Sequence, residues 1–298
     1  GANVTICDPL DRRCGGNMFN IKDIKDKVSF KRKRVESFIE SECLGKFSVI
    51  FNCIGLANHH IGLAHVDTDY DINCASALAI LRKMADEKIA CRMISLGSRS
   101  QYGTPPKTDV REGEPMMPLD IQAVHKTALE HYQCVYAHNY GLDLKYVRLT
   151  NVYGPGQRMK GDGVGLMAEM IRSALSHDTI EVFGGADRIK DILFIDDVVD
   201  ALLRLGMIKT MGFSVFNLGG SPHSLKEILE ALSRYEKIKV RVKPFPVSVM
   251  KMDTGDVVLN TDLFKEATGW KPIATLEKGL GATFNYYKNN RKYYFSGL

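Results

Sequence analysis

Apolar residues in the first half of the chain fall into short, β-branched-rich runs separated by stretches with helical spacing. Val4-Thr5-Ile6-Cys7 reads as a buried strand, and Ser48–Ile54, Ala90–Leu96 and Leu144–Leu149 read as longer ones. Continuous apolar runs of this kind suit strands covered on both faces. Between them, Ile72–Glu87 and Ile121–Tyr140 carry apolar residues every third and fourth position, which predicts helices. Strands alternating with helices predict a parallel sheet with crossover helices. After Asn151-Val152-Tyr153-Gly154-Pro155-Gly156 the pattern changes to a loop, a helix over about Val164–Ser176 and a mixed region. Ser224-Leu225-Lys226-Glu227 is a capping box, since hydroxyl and carboxylate can each satisfy a free backbone donor at a helix start. No internal repeat or low-complexity linker interrupts the chain. The expected fold is α/β, a doubly wound, Rossmann-like parallel sheet over residues 1–155, followed by a smaller α/β substrate domain over 156–298. Segments about 191–220 are expected to return to the first domain.

Composition narrows the class. At 298 residues and 45% hydrophobic, the chain can bury a sizeable core, and disordered, collagenous and disulfide-scaffold classes do not fit. No run approaches the roughly 20 apolar residues of a membrane span; the longest, Phe47–Ala57, is broken by Asn52. The net charge of +5 does not by itself imply nucleic acid. The basic stretch from Lys22 to Arg34 has no interleaved aromatic motif and reads as a solvated strand end or loop. Seven cysteines form no CxxC pair; Cys7, Cys53 and Cys91 lie in apolar runs and read as small core residues. A soluble protein in a reducing cytoplasmic compartment is the expectation, without a metal site.

Seven short stretches, in order, carry a resemblance. They are Thr5-Ile6-Cys7-Asp8, Asp69-Tyr70-Asp71-Ile72-Asn73, Leu96-Gly97-Ser98-Arg99-Ser100-Gln101-Tyr102-Gly103 and Arg148-Leu149-Thr150-Asn151-Val152-Tyr153-Gly154-Pro155. Asp191–Val199, Phe216-Asn217-Leu218-Gly219-Gly220 and Thr268-Gly269-Trp270-Lys271-Pro272 complete the set. Together they resemble the extended short-chain dehydrogenases/reductases, specifically the NAD-dependent nucleotide-sugar epimerase/dehydratase family. The resemblance implies a bound NAD, a nucleotide-sugar substrate and a homodimer paired through the helices Ile72–Glu87 and Ile121–Tyr140.

The positions can also be read on their own chemistry. Asp8 ends a strand, where a carboxylate can accept from a ribose diol or cap its loop. Arg12 and Arg13 nearby would equally favour a 2′-phosphate, so NAD and NADP stay open. Ser98 follows a strand at its carboxyl end, where ligands of open parallel sheets bind. Its hydroxyl can orient a sugar oxygen or serve as a turn serine. The resemblance has Asn151 hold substrate near its phosphates; capping the turn before Gly154 is the alternative.

Departures from the family pattern decide how the activity is read. The family uses a Tyr and a Lys four residues later on one helix face, the Lys cation lowering the phenol pKa so that it takes a sugar proton. Lys126 is present, but Gln122 stands where the phenol belongs. An amide has no usable proton-transfer pKa. His125, three positions from Gln122, is an acid/base candidate, or simply a partly exposed helix histidine. Arg99-Ser100 replaces the acidic pair of the dehydratase branch and the Glu of the decarboxylase branch. Arg34 stands where an Asp beside adenine is usual, and Lys190 where an arginine holds the substrate diphosphate, with Arg188 as a possible second cation. No Gly-rich turn of the family's opening type precedes Asp8, so about 25–30 residues, one βα unit, are expected ahead of Gly1.

Two functions compete. The leading one is a nucleotide-sugar epimerase-like enzyme of the UDP-glucose 4-epimerase type, working by transient oxidation with bound NAD. Ser98, Lys126, Gln122 and His125 would line its site, Asp8, Arg12 and Lys126 would face the cofactor, and Asn151, Lys190 and Arg188 the substrate. The other is a non-catalytic nucleotide-sugar or dinucleotide-binding member that has lost its acid/base. A dehydratase or reductase fits less well, and nucleic-acid and membrane partners are not expected.

Overall fold

The computed structural model describes residues 1–57, 59–161 and 163–295. The first half runs β1 (Thr5–Cys7), β2 (Ser29–Lys31), α1 (Val35–Ser41), β3 (Val49–Asn52), α2 (His59–Ala64), α3 (Val66–Tyr70), α4 (Ser76–Asp86), β4 (Arg92–Ser98), β5 (Asp109–Val110) and α5 (Ile121–Tyr140). Next come β6 (Leu144–Leu149), β7 (Asn151–Tyr153), α6 (Leu166–Ser176), β8 (Thr179–Phe183), β9 (Ile189–Phe194), α7 (Ile195–Met207) and β10 (Ser214–Leu218). The chain continues through β11 (Ser221–Ser224), α8 (Leu225–Ser233), β12 (Lys239–Lys243), α9 (Val247–Met250), β13 (Val258–Leu259), α10 (Asp262–Thr268), α11 (Leu276–Asn289) and α12 (Arg291–Tyr294).

The central sheet has the order β10-β6-β4-β3, with all neighbours parallel. Its strands alternate their side chains between two cores, as the two-residue period of a strand requires. Met93 and Tyr146 point to the side of α1, α4 and α5, against Leu81, Met84 and Leu129. Ile94 and Val147 point the other way, against Val198, Phe216, Phe264 and Trp270. Helices therefore cover both faces, the doubly wound arrangement. Full burial of each such side chain stabilises the fold by about 1.5–3 kcal/mol. Arg92, at the start of β4, pairs with Asp143 at 2.7 Å and donates to the carbonyls of Leu205, Gly206, Ile208 and Thr210. It thus satisfies the free carbonyls at the end of α7.

β1 and β2 form a separate parallel pair. Among the described residues β1 pairs with β2 alone and β3 with β4 alone. A second lobe combines β7, β9 and β11 with the β8–β12 pair. Its core contains Ile171, Val182, Ile228, Leu280, Phe284 and Tyr287. β10 lies in the central sheet beside β6, whereas β9 lies in the second lobe.

Two expectations need correction. The helix read over Ile72–Glu87 begins as a wide π-turn at Asp71–Ala75, and only from Ser76 is it α-helical, ending at Asp86. The wide turn carries Asn73, whose side chain grips the Leu56 peptide, and such turns favour functional sites. The cysteines are less buried than their apolar runs suggest: Cys74 and Cys91 are buried, Cys7 is half-buried and Cys53 is exposed. The reason is position, because β3 ends at Asn52 and Cys53 already stands in the loop that follows it. No helix among the described residues is long and apolar enough to cross a membrane.

Candidate active site

α5 starts where Asp120 Oδ1 accepts from Ala123 N at 2.9 Å, and it ends at Gly141, whose φ of 66° stops the helix in the left-handed conformation. Its inward face is unusual. Gln122, Lys126, Glu130 and Gln133, spaced four, four and three, are all buried on one stripe. A helix that presents polar groups to a sheet must satisfy them there.

Each does so differently. Glu130 forms a buried ion pair with Arg148, which donates to it through both Nε and Nη2, and Gln101 Nε2 donates to it at 2.9 Å. Gln133 Nε2 donates to Ser95 Oγ at 2.5 Å. Lys126 reaches the carboxyl edge of β3 and β4, donating to Leu96 O at 3.0 Å and to Ile54 O at 3.4 Å. Burial pushes its ammonium down to about 8, against the opposing pull of Asp69. Gln122 Nε2 donates to Leu56 O at 2.6 Å. Asn73 holds the same peptide from both sides, accepting from Leu56 N at 3.1 Å and donating to Leu56 O at 3.2 Å. The loop after β3 is therefore pinned at Leu56 by two amides.

His125 is fixed rather than loose. Its Nδ1 lies 2.7 Å from Asp69 Oδ1, and the edge of Tyr70 packs on its ring at 5.5 Å. The Asp69 side chain has no exposure, and that of His125 keeps 12%. The other carboxylate oxygen of Asp69, Oδ2, has no hydrogen-bond partner among the described residues. It faces Gly62, where a Cβ would come within 3.1 Å of it. The arrangement gives an imidazole held by a buried carboxylate through Nδ1, which leaves Nε2 for a reacting proton.

Ser98, at the end of β4, caps the turn that follows: Ser100 donates to its Oγ from N at 3.2 Å and from Oγ at 2.8 Å. Among the described residues its own hydroxyl donates to no partner. Tyr102, the other phenol in this stretch, is 1% exposed and donates to Asn217 Oδ1 at 2.7 Å. Burial holds its pKa up, so it is a structural anchor.

The expected substrate residues lie where β6 passes into β7. Asn151 Nδ2 donates to Asp191 O at 2.8 Å, across to β9. Lys190 is 7% exposed and donates to Gly255 O at 3.3 Å; burial and the charges of Arg188 and Arg99 push it down to about 8. Arg188 pairs with Asp253 at 2.6 Å and stacks on Phe245.

Asp8 and Arg12 belong to the β1–β2 unit rather than to this cleft wall. Asp8 Oδ1 accepts from Leu10 N at 2.7 Å, a loop-capping bond, and Arg12 is exposed in the next turn. Lys126 and the pinned Leu56 loop suit the nicotinamide-ribose end of a dinucleotide, and Asp8 suits its adenosine ribose. A glycine-rich strand-to-helix turn for the pyrophosphate is not present among the described residues, so the fit covers the two ends.

Asp69 and Asn73 stood in the sequence only as part of a family motif, with no role assigned, and Glu130 was passed over. Asp69 and Asn73 are four apart, on one side of the helical segment facing α5, and Glu130 continues the Gln122–Lys126 stripe. Both spacings were available as signals. Among the described residues no group of three or more His, Cys, Asp or Glu could hold a metal ion.

The model of the NAD dependent epimerase/dehydratase family matches residues 23–219. UDP-glucose 4-epimerase of Mycolicibacterium smegmatis is 31% identical over 64% of this chain and 60% of its own length. UDP-glucuronate 4-epimerase of Thermodesulfobacterium geofontis is 28% identical over 74% of this chain and 66% of its own. The chain thus spans about 60–66% of the length of these two curated relatives. The crystal structure of a UDP-glucose 4-epimerase with UDP-glucose from Thermotoga maritima superposes with a TM-score of 0.87, covering 98% of this chain and 92% of that one, at 24% identity.

Proposed function

From the chain's membership of the NAD-dependent epimerase/dehydratase family, we propose that it is an epimerase-like enzyme for a nucleotide sugar, of the UDP-glucose 4-epimerase type, in which His125 does the work of the missing phenol. The observation that carries this reading is the Asp69–His125 pair, whose buried carboxylate also acts on the charge of Lys126.

A nicotinamide cofactor, when bound, would supply the acceptor for the carbinol hydride and its donor back to the opposite face of the ketone, once the sugar has turned over in the cleft. The chain's own residues handle the proton and the orientation. Ser98 donates to the sugar oxygen and fixes it at the carboxyl end of β4. His125 Nε2 takes the hydroxyl proton as the carbinol is oxidised, and Asp69 steadies the imidazolium through Nδ1–H. On return, the same Nε2 gives the proton back to the other epimer. Lys126 supplies positive charge beside the nicotinamide ribose and the developing alkoxide. Gln122 transfers no proton; with Asn73 it shapes the Leu56 loop. Lys190, Arg188 and Asn151 hold the nucleotide diphosphate, and Asp8 and Arg12 the adenosine end of NAD or NADP. A homodimer through α4 and α5 belongs to the same reading.

The test is conversion of UDP-, GDP-, CDP- and dTDP-sugars by the full-length protein loaded with NAD, followed by NMR. Lys126→Ala abolishes turnover and His125→Ala lowers it about 10²-fold or more. Full activity in both variants overturns the assignment.

One observation favours a second reading, a binding protein without turnover. The amide of Gln122 is buried and committed to a backbone carbonyl. On that reading the protein binds nucleotide sugar or dinucleotide, and no member of the panel is converted.

A further inference from the structure

The cleft contains a cation that the chemistry above leaves unused. Arg99 follows Ser98 directly and is half-buried at the join between the central sheet and the second lobe. Its Nη1 donates to Thr254 Oγ1 at 2.8 Å, and Nη2 makes a long contact of 3.4 Å to Asn151 Oδ1. A guanidinium has five N–H donors, so among the described residues most of this one's donors find no partner.

No carboxylate among the described residues lies within ion-pair distance of Arg99. The acids nearest it are engaged elsewhere. Asp253 pairs with Arg188 at 2.6 Å, and Asp256 faces the same arginine at 3.8 Å. Asp191 accepts from Gly220 N at 2.7 Å and from Leu259 N at 3.1 Å. They balance Arg99 at longer range without meeting its fork, while Arg188 opposes it and Arg99 in turn opposes the charge of Lys190. A partly desolvated guanidinium without a contacting anion is unfavourable until one arrives.

We propose that Arg99 binds a carboxylate carried by the sugar, so that the substrate is a nucleotide uronic acid rather than a neutral nucleotide hexose. The inference rests on the nucleotide-sugar reading above and deepens it. Ser98 addresses the reacting hydroxyl, and Arg99 is the cation that follows it directly in the chain. In a hexuronic acid that reacts at C4, the neighbouring carbon C5 bears the carboxylate. A planar guanidinium fork matches two carboxylate oxygens, which a lysine cannot do. Lys190 and Arg188 remain for the diphosphate.

The anion could instead be the diphosphate itself, and the experiment separates the two sources. UDP, UDP-glucose and UDP-glucuronate are titrated calorimetrically into the full-length protein and its R99M and R99K variants, with thermal melts to establish folding. The wild type should bind UDP-glucuronate about tenfold or more tighter than UDP-glucose, the size of a charge-assisted hydrogen bond. R99M should bring that ratio close to one, and R99K should retain only part of it. If R99M fails to fold, R99K decides: a ratio equal to wild type overturns the role of the fork, and a reduced one supports it. A wild type without preference, or an R99M that weakens UDP as much as UDP-glucuronate, overturns the proposal and leaves the nucleotide-sugar reading standing. If none of the three ligands binds, the nucleotide-sugar reading itself falls and takes this proposal with it.

Discussion

Asp69 and His125, 56 residues apart in the chain, meet at 2.7 Å between Oδ1 and Nδ1. The contact joins α3 to α5 beside Lys126, and it turns a helix histidine into an oriented imidazole. A buried carboxylate on Nδ1 selects the tautomer whose Nε2 can accept a proton, and it stabilises the charged ring once it has done so.

Asp69→Asn is therefore expected to keep the shape and lose the chemistry. An amide can donate to Nδ1 and favour the tautomer with the proton already on Nε2. Turnover should fall about 10²–10⁴-fold with KM little changed. Because the two residues act as a unit, the double variant Asp69→Asn/His125→Ala should be no slower than His125→Ala alone. Steady-state kinetics of the three variants across pH check this. Multiplicative losses would show that Asp69 acts independently.

Gln122 predicts the opposite pattern. Its amide donates to Leu56 O, so Gln122→Ala leaves Asn73 as the one side chain of this pair still holding that peptide. Loss of a buried hydrogen bond should cost about 1–3 kcal/mol of stability, read from urea unfolding. Turnover should fall less than in His125→Ala. A stable variant with no activity would return Gln122 to the chemistry.

The sheet was legible because its strands are continuous apolar runs, and Met93/Ile94 and Tyr146/Val147 divide between two cores as such runs require. Gln122 and Lys126 were legible from four-residue spacing on one helix, and His125 from its place three positions after Gln122. What makes His125 useful was not, because nothing in Ile121–Tyr140 announces a carboxylate from residue 69. The exposure of Cys53 was hidden because the apolar run Ser48–Ile54 outlasts the strand, which ends at Asn52. Arg99 stood out as a departure from a pattern, yet its lack of a contacting carboxylate depends on where Asp253 and Asp256 turn.

The Glu130–Arg148 pair is a structural counterpart on the same helix. Both side chains are almost wholly buried, and Arg148 also donates to Glu112 O at 3.0 Å. Glu130→Ala leaves a buried guanidinium without its carboxylate and should cost about 3–5 kcal/mol in urea unfolding. A loss under about 1 kcal/mol would mean that solvent reaches Arg148.

The outward face of α5 bears on assembly. Val124, Tyr132 and Val135 are exposed along one side of the helix, at 43%, 38% and 52%. An apolar stripe of this kind suits a second copy of the chain. On the homodimer proposed through α4 and α5, Val135→Arg should lower the mass in light scattering from that of a dimer to that of a monomer. An unchanged mass would place any dimer contact elsewhere.

Lys126 links stability to pH with a definite sign. Burial holds its folded pKa at about 8, against an ordinary value of 10.5. Between those two values the unfolded chain binds a proton that the folded chain does not, so this group makes stability rise with pH across that window. Below about 8 the folded protein carries the whole penalty of a buried charge, on the order of 3 kcal/mol from the size of the shift. Above 10.5 the penalty vanishes because both states are neutral. Lys126→Met should thus be inactive yet more stable than wild type near neutrality, by up to that amount less the lost bonds to Leu96 O and Ile54 O. The advantage should shrink steadily as pH rises through the window. Tyrosines and cysteines titrate in the same range, so the quantity to follow is the difference between the two proteins' urea midpoints. Lys190→Met, from a second lysine held down at about 8, should give a difference curve of the same sign. A Lys126→Met difference that stays flat with pH would mean that the ammonium is better solvated than its burial implies.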